Sequence, residues 1–216
     1  MPKATRSTDE VEKVKEDIIE CALEILSTEG YENLSMSKIG AMMDMTAANL
    51  YNYYKNKNEL LIAIHKKTFS MLLSTIADYT GPESSPSARV KSLIRGFVEF
   101  GINNIHVYDL MFSRPIPQYT DYIGTPEEEL ALDEYRSSLK ALDFAVGIIT
   151  DYIDTTPKLT GNDPRYMTIK LITELHGVIS LYNSRILHEM DQESGEFFTK
   201  IVDDIFTSIG VKPHTP

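Results

Sequence analysis

The chain has 216 residues, 42% hydrophobic and 25% charged, which is long and apolar enough to bury a core and excludes a disordered polymer. Its single cysteine, Cys21, excludes an internal disulfide and a cysteine-cluster metal site. The opening "MPKATRSTDE" lacks the apolar centre of a signal peptide, and no apolar run suggests a membrane span, so a cytoplasmic protein without a membrane partner is expected. The net charge of −11 counts against phosphate affinity until it is divided along the chain: residues 1 to 67 carry 9 Lys/Arg and 11 Asp/Glu, a balance of −2, and the remainder carries −9.

Capping signals and apolar periodicity predict helices throughout and no strands. Ser7-x-x-Glu10 is a capping box ahead of Val11, Val14, Ile18, Ala22, Ile25 and Leu26, and Gly30 is placed to end this first helix, 8 to 29, in a left-handed cap. Ser35 opens a short helix with Met36, Ile39 and Met43 that must stop near Asp44, because Thr46 offers a fresh N-cap for a third helix over about 47 to 54. Asn56-x-x-Glu59 caps a long fourth helix, on which His65 is expected to be exposed. The segment "TGPESSPSA", 80 to 88, is the clearest break, with Pro86 suited to a helix start.

Val90, Leu93, Ile94, Phe97, Phe100 and Ile105 then line a fifth helix, followed by a short piece near 107 to 112 and a proline-bearing loop, "SRPIPQYTDYIG". Thr125-Pro126-Glu127-Glu128 reads as a cap, an N1 proline and acids favoured by the helix dipole, opening a long helix with a seam from Leu132 to Ile153. Asp163-Pro164 starts another that runs to about Glu189, and a last helix carries Phe197 to Ile209 before Gly210.

Two short helices and a tight turn within 20 residues have helix-turn-helix geometry. Ile39, Met43, Met45, Leu50 and Tyr54 are placed to point inward, with Thr46, Ala47, Ala48, Asn49, Asn52 and Tyr53 on the outer and leading surface. Asparagine can pair with adenine N6 and N7, small alanines let the backbone approach a groove, and tyrosine hydroxyls bond phosphate without adding charge. On pattern alone a second reading stands equally beside it, in which Tyr51, Tyr53 and Tyr54 merely pack a three-helix domain and the asparagines fill its surface.

Residues 11 to 64 resemble the N-terminal domain of the tetracycline-repressor (TetR) family of transcriptional regulators. The resemblance rests on Ile19, Ala22, Leu26 and Gly30-Tyr31, and on "LSMSKIGAMMDMTAANLYNYYKNKNELL", in which Leu50-Tyr51 and Lys57-x-Glu59-Leu60-Leu61 match the end of the family's motif. It implies an all-α protein with an N-terminal three-helix DNA-binding domain, 1 to 56, and a helical ligand-binding and dimerisation domain, 57 to 216. By the same match Thr46 caps the recognition helix, Tyr51 and Lys57 contact phosphate, and residues 47, 48, 49, 52 and 53 form the variable reading surface; Ser35, Ser37 and Lys38 complete the DNA-facing set. Where the family usually has Ala and Gly, this chain has Met43 and Asp44. Gly40 replaces a usual Ala, its missing methyl expected to make room for Met43, and Tyr53 replaces a frequent His.

The resemblance further implies a repressor that binds a near-palindromic operator on double-stranded DNA as a homodimer, formed by a four-helix bundle of the last two long helices, and that answers to a small-molecule effector. The candidates for lining the effector site are Phe97, Phe100, Tyr108, Met111, Phe112, Phe144, His176 and Tyr182, each of which also suits an ordinary core. Arg114 reads as a gate or a solvated loop charge. No phosphate loop, His-Glu-x-x-His pair or glycine-flanked serine occurs, so neither catalysis, a cofactor nor a metal is expected. The competing function is an all-helical small-molecule carrier or partner-binding module whose N-terminal head does not bind DNA.

Overall fold

The computed structural model of the protein describes residues 7–190 and 193–209, and all its regular elements are helical. Gly210, expected to close the last helix, lies outside the described residues. By packing, the chain divides into two units: Met1–Phe69 with His106–Ser137, and Ser70–Ile105 with Ser138–Pro216.

The first unit begins with α1 (Thr8–Glu29), whose predicted capping box is present: Glu10 N–H donates to Ser7 Oγ at 3.2 Å and Ser7 N–H to the Glu10 carboxylate at 2.7 Å. Gly30 ends it with positive φ, but ψ of 172° gives an extended exit rather than the expected left-handed cap. A 3₁₀ turn (Tyr31–Asn33) leads to α2 (Met36–Met42) and α3 (Ala47–Leu50). Ile18, Ala22, Ile25 and Leu26 of α1, Ile39 of α2 and Leu50 of α3 are wholly buried, each large side chain contributing about 1.5–3 kcal/mol. Tyr54 joins this core, its hydroxyl donating to the Lys15 carbonyl at 3.3 Å, and burial raises its pKa so that the phenol stays protonated. Cys21 is half-buried, with its thiol toward the Ile39 carbonyl; burial, then Glu24, raise its pKa, which suits an inert packing thiol.

The fourth helix, α4 (Lys57–Thr80), contributes its first part to this unit. Contrary to the sequence expectation, α4 is long and apolar enough to cross a membrane by length and composition alone; Leu60, Leu61, Ile62, Ile64, Leu72 and Ile76, however, are buried within the protein. His65 also departs from its expected exposure. It is 8% exposed, Nδ1 lies 2.9 Å from Glu134 Oε1, and Phe69 meets its ring edge-on at 5.0 Å. An acid 69 residues away makes the burial tolerable, and no local pattern announces it. The unit is completed by α6 (Ile105–Phe112), a 3₁₀ turn (Tyr119–Tyr122) and the start of α7 (Glu128–Asp154). The last begins two residues later than Pro126 suggests, and Glu128 reaches back to accept from Gly124 N–H at 2.8 Å.

In the second unit, α5 (Pro86–Asn103) starts at Pro86 as expected, with Ser85 as its cap, and passes the end of α4 so closely that a methyl on Gly96 would lie 3.2 Å from Tyr79. α8 (Pro164–Asn183) is capped by Asp163, as the sequence predicts. It stops at Asn183, six residues short of the expected end, because Arg185 adopts φ of 61° and restarts the chain as α9 (Ile186–Met190). Asn183 Nδ2 donates to the Gly101 carbonyl at 2.9 Å, fastening this break to α5. α10 (Ser194–Ser208) packs on α8, with Phe198 against Tyr182 at 4.6 Å between ring centres.

Candidate nucleic-acid interface

The turn between α2 and α3 is made by two departures from the usual motif. Asp44 takes φ of 53°, a left-handed conformation that a short polar side chain tolerates better than most. Gly40 has a different use from the one expected: a Cβ there would sit 2.6 Å from the Met45 carbonyl oxygen, so the missing methyl admits the returning backbone rather than the Met43 side chain. Met45 N–H closes the turn on the Gly40 carbonyl at 2.8 Å.

Thr46 then caps α3, its hydroxyl accepting from Asn49 N–H at 3.1 Å. The helix is shorter than the expected 47 to 54. After Leu50 the chain continues in turn bonds of mixed step, Asn52 N–H to the Asn49 carbonyl and both Tyr53 and Tyr54 N–H to the Leu50 carbonyl. The three tyrosines face apart: Tyr54 is buried, Tyr53 half-buried and Tyr51 46% exposed. Thr46, Ala48 and Asn52 are exposed, while Ala47 and Asn49 are partly covered. Asn52 Nδ2 donates to Asn49 Oδ1 at 3.3 Å, which orients both amides as a pair. On α2, Ser35 is the N-cap and Ser37 is exposed in the first turn.

The lysines around the ridge differ. Lys38 is paired with Glu29, and Lys55 lies 3.7 Å from Glu59. Lys57 has no carboxylate partner among the described residues; its ammonium lies over the Tyr31 ring, 5.0 Å from the centroid. A ring face holds a cation at an exposed site by about 0.5–1 kcal/mol without cancelling its charge. The same ring takes the Arg114 guanidinium at 5.2 Å. Arg114 also donates from Nε to Asp109 at 2.7 Å and from Nη1 to Glu32 at 2.5 Å, so it is a clamp between α6 and the turn after α1. Asn56 caps α4 by accepting from Glu59 N–H, and its amide donates to Glu127 at 2.6 Å. That amide holds the Glu127 carboxyl below the usual range.

Sequence reasoning missed the roles of Tyr31, Glu32, Asp109 and Glu127. Arg114 and Glu32 are 82 positions apart and Asn56 and Glu127 are 71 apart, so only a contact in space reveals them.

The effector candidates fall in both units. Tyr108 and Met111 are buried on α6, and the half-buried Phe112 meets Tyr108 at 4.8 Å and Phe69 at 6.1 Å. Phe97 and Phe100 are buried on α5, Phe144 and His176 are half-buried, and Tyr182 is exposed, lining an open groove with Ile105, Asn183, Arg185 and His188.

Two crossed short helices with a buried inner seam and an exposed amide-bearing ridge define a helix-turn-helix DNA-binding protein. Residues 18–64 match the N-terminal profile of bacterial regulatory proteins of the tetR family, and residues 90–205 match the tetracyclin repressor-like C-terminal domain. The chain belongs to the TetR family and is a DNA-binding transcriptional regulator with a C-terminal ligand-binding domain. It is 26% identical over 160 residues, 64% of this chain and 75% of the other, to an uncharacterized HTH-type transcriptional regulator in the dhlA 5' region of Xanthobacter autotrophicus. Its fold is similar to that of a TetR/AcrR-family regulator from Thermobifida fusca YX-ER1, with TM-score 0.61 at 19% identity, covering 89% of this chain and 96% of the other. It is also similar to FadR from Bacillus subtilis, solved with stearoyl-CoA, with TM-score 0.62 at 16% identity, covering 88% and 96%. At these identities the two structures speak to fold alone. Family membership sets aside the carrier reading.

Proposed function

We propose that the protein is a cytoplasmic, non-catalytic repressor that reads a near-palindromic operator as a homodimer and whose operator affinity is controlled by a small molecule. The observation that carries this reading is the ridge itself. Thr46, Ala48, Tyr51 and Asn52 are exposed along α3, its cap and the turn after it, while the fully buried Leu50 anchors the helix. Asn49 and Asn52 would read base edges, Ala47, Ala48 and Tyr53 would shape the fit, and Thr46, Tyr51, Lys57, Ser35, Ser37 and Lys38 would meet the backbone. Lys38 does so only by sharing its ammonium with Glu29.

The division of labour we propose places DNA binding in residues 1–56 and effector binding with dimerisation in 57–216. The packing of 106–137 with the head supports a route for the effector's influence, since Arg114 and Glu127 tie that segment to Glu32 and Asn56. The effector candidates are Phe97, Phe100, Phe144, His176 and Tyr182 within the second unit and, taken separately, Tyr108, Met111 and Phe112 within the first. A coupling of about 1–3 kcal/mol gives roughly 5- to 150-fold derepression. Acyl-CoA thioesters are the first compounds to try, because FadR was solved with one.

Dimerisation is proposed through α8 and α10. Tyr166, Ile169, Thr173, Gly177 and Leu181 follow one another at helical spacing along α8 and are all exposed, an apolar stripe suited to its own copy. Recognition helices of such a dimer enter major grooves about 34–36 Å apart. The test is to select bound fragments of the host genome with the purified protein and to measure their affinity against salt. A selected palindrome bound far more tightly than random DNA is expected; equal affinity for both, or no binding at low salt, would reject the reading.

A further inference from the structure

Among the described residues, Lys57 is the lysine at the ridge whose charge no carboxylate takes, and its surroundings explain how it stays so in an acidic protein. The two acids flanking Tyr31 in sequence, Glu29 and Glu32, are each held by another cation, Lys38 and Arg114. Glu59, at the start of Lys57's own helix, accepts from Lys55 N–H at 2.8 Å and pairs with the Lys55 ammonium. What remains for Lys57 is the Tyr31 ring, which positions an ammonium without neutralising it.

We infer that Arg114 is a positioning residue for DNA binding: by holding Glu32 and lying over Tyr31, it keeps Lys57 seated on the ring with its charge free for a backbone phosphate. The alternative state is built into the chain. Glu32 is exposed and adjacent to Tyr31, so once released by Arg114 it becomes a competing partner for Lys57. A paired lysine must give up its carboxylate to meet a phosphate and releases fewer counterions on binding. Arg114 is bonded at the same time to Asp109 of α6, so displacement of α6 would reach Lys57 through this clamp. The inference rests on the proposed phosphate contact of Lys57.

The test uses the full chain and an operator fragment recovered by genomic selection, with affinity measured as a function of salt on operator and on random DNA. Lys57→Ala tests the underlying contact: affinity falls equally on both DNAs and the salt slope drops by about one for each protomer. Arg114→Ala is expected to reproduce that pattern. Adding Glu32→Gln to Arg114→Ala should restore affinity and slope toward wild type, because the amide offers Lys57 no charge, whereas a merely structural role for Arg114 would not be rescued. Arg114→Gln, with and without Glu32→Gln, gives the same comparison if the alanine variant is too unstable to purify. A normal response to Lys57→Ala together with wild-type binding by Arg114→Ala, or with no rescue by Glu32→Gln, overturns the inference and leaves the phosphate contact standing. An unaltered slope in Lys57→Ala overturns both.

Discussion

The helices α3 and α8 face outward by opposite means. α3 has four residues and a single buried anchor, Leu50, and with its cap and the turn that follows it exposes Thr46, Ala48, Tyr51 and Asn52. α8 has twenty residues, buries Thr168, Leu171, Leu175, Val178 and Ile179, and still leaves Tyr166 65% and Ile169 48% exposed. A helix that reads DNA needs little apolar surface beyond what holds it in place, since its partner is polar. A helix that meets a copy of itself needs a second apolar face. The comparison separates residues that keep an element folded from residues that serve a partner, and substitutions can break it at either end.

The largest effect is expected at the anchor. Leu50→Ala removes the one wholly buried side chain of α3 and should destabilise the head by about 2–5 kcal/mol, abolishing operator binding. Thermal unfolding followed by circular dichroism, with binding in parallel, checks this; a fully stable, non-binding variant would mean that Leu50 touches DNA instead of the core. On α8 the converse holds. Ile169→Lys lies on the exposed stripe, so the protomer's own stability should change by no more than about 0.5 kcal/mol. Sedimentation should nevertheless show monomers, and operator affinity should fall by roughly 10²- to 10⁴-fold as the two heads lose their linkage. A dimeric Ile169→Lys would move the interface elsewhere.

Smaller effects come from the ridge. Asn49→Ala and Asn52→Ala leave the core intact and should cost about 1–3 kcal/mol on the selected operator, with little change on random DNA, because base-edge bonds are lost and phosphate bonds are kept. Since the two amides bond each other, the double variant should cost less than the sum of the singles. Equal losses on operator and random DNA would remove the asparagines from the reading surface.

What could be read from the chain beforehand follows the range of the interactions. Ser7 with Glu10, Ser35, Thr46, Pro86, and Asp163 act within a few residues, and each begins its helix where the residue types predict. The burial of His65 depends on Glu134, and the clamp on Tyr31 needs an arginine far along the chain, so neither leaves a local trace. The break after Asn183 is hidden for another reason. It is made by an arginine at positive φ, with neither glycine nor proline to mark it, and is fastened by Asn183 to the Gly101 carbonyl. At the ridge, the residue pattern leaves open whether the tyrosines all pack the core, and the structure divides them, with Tyr54 buried and Tyr51 exposed.

The finest test of the head lies in the turn that sets α3 against α2. Asp44 sits at φ of 53° where the family commonly has glycine. A left-handed conformation costs an ordinary L-residue about 1–2 kcal/mol, and a short polar side chain less. Asp44→Gly relieves that cost and at the same time gives the unfolded chain more freedom, roughly 0.5–1 kcal/mol against folding. The two nearly cancel, so the melting temperature should hardly move and operator affinity should be kept. Asp44→Val has no such compensation, because a β-branched side chain at positive φ is strained whatever surrounds it. It should lose about 1–2 kcal/mol and weaken operator binding, since the strain is most easily relieved by tilting α3. If valine were tolerated as well as glycine, the turn would be yielding, and the placement of the ridge would depend on DNA rather than on Asp44.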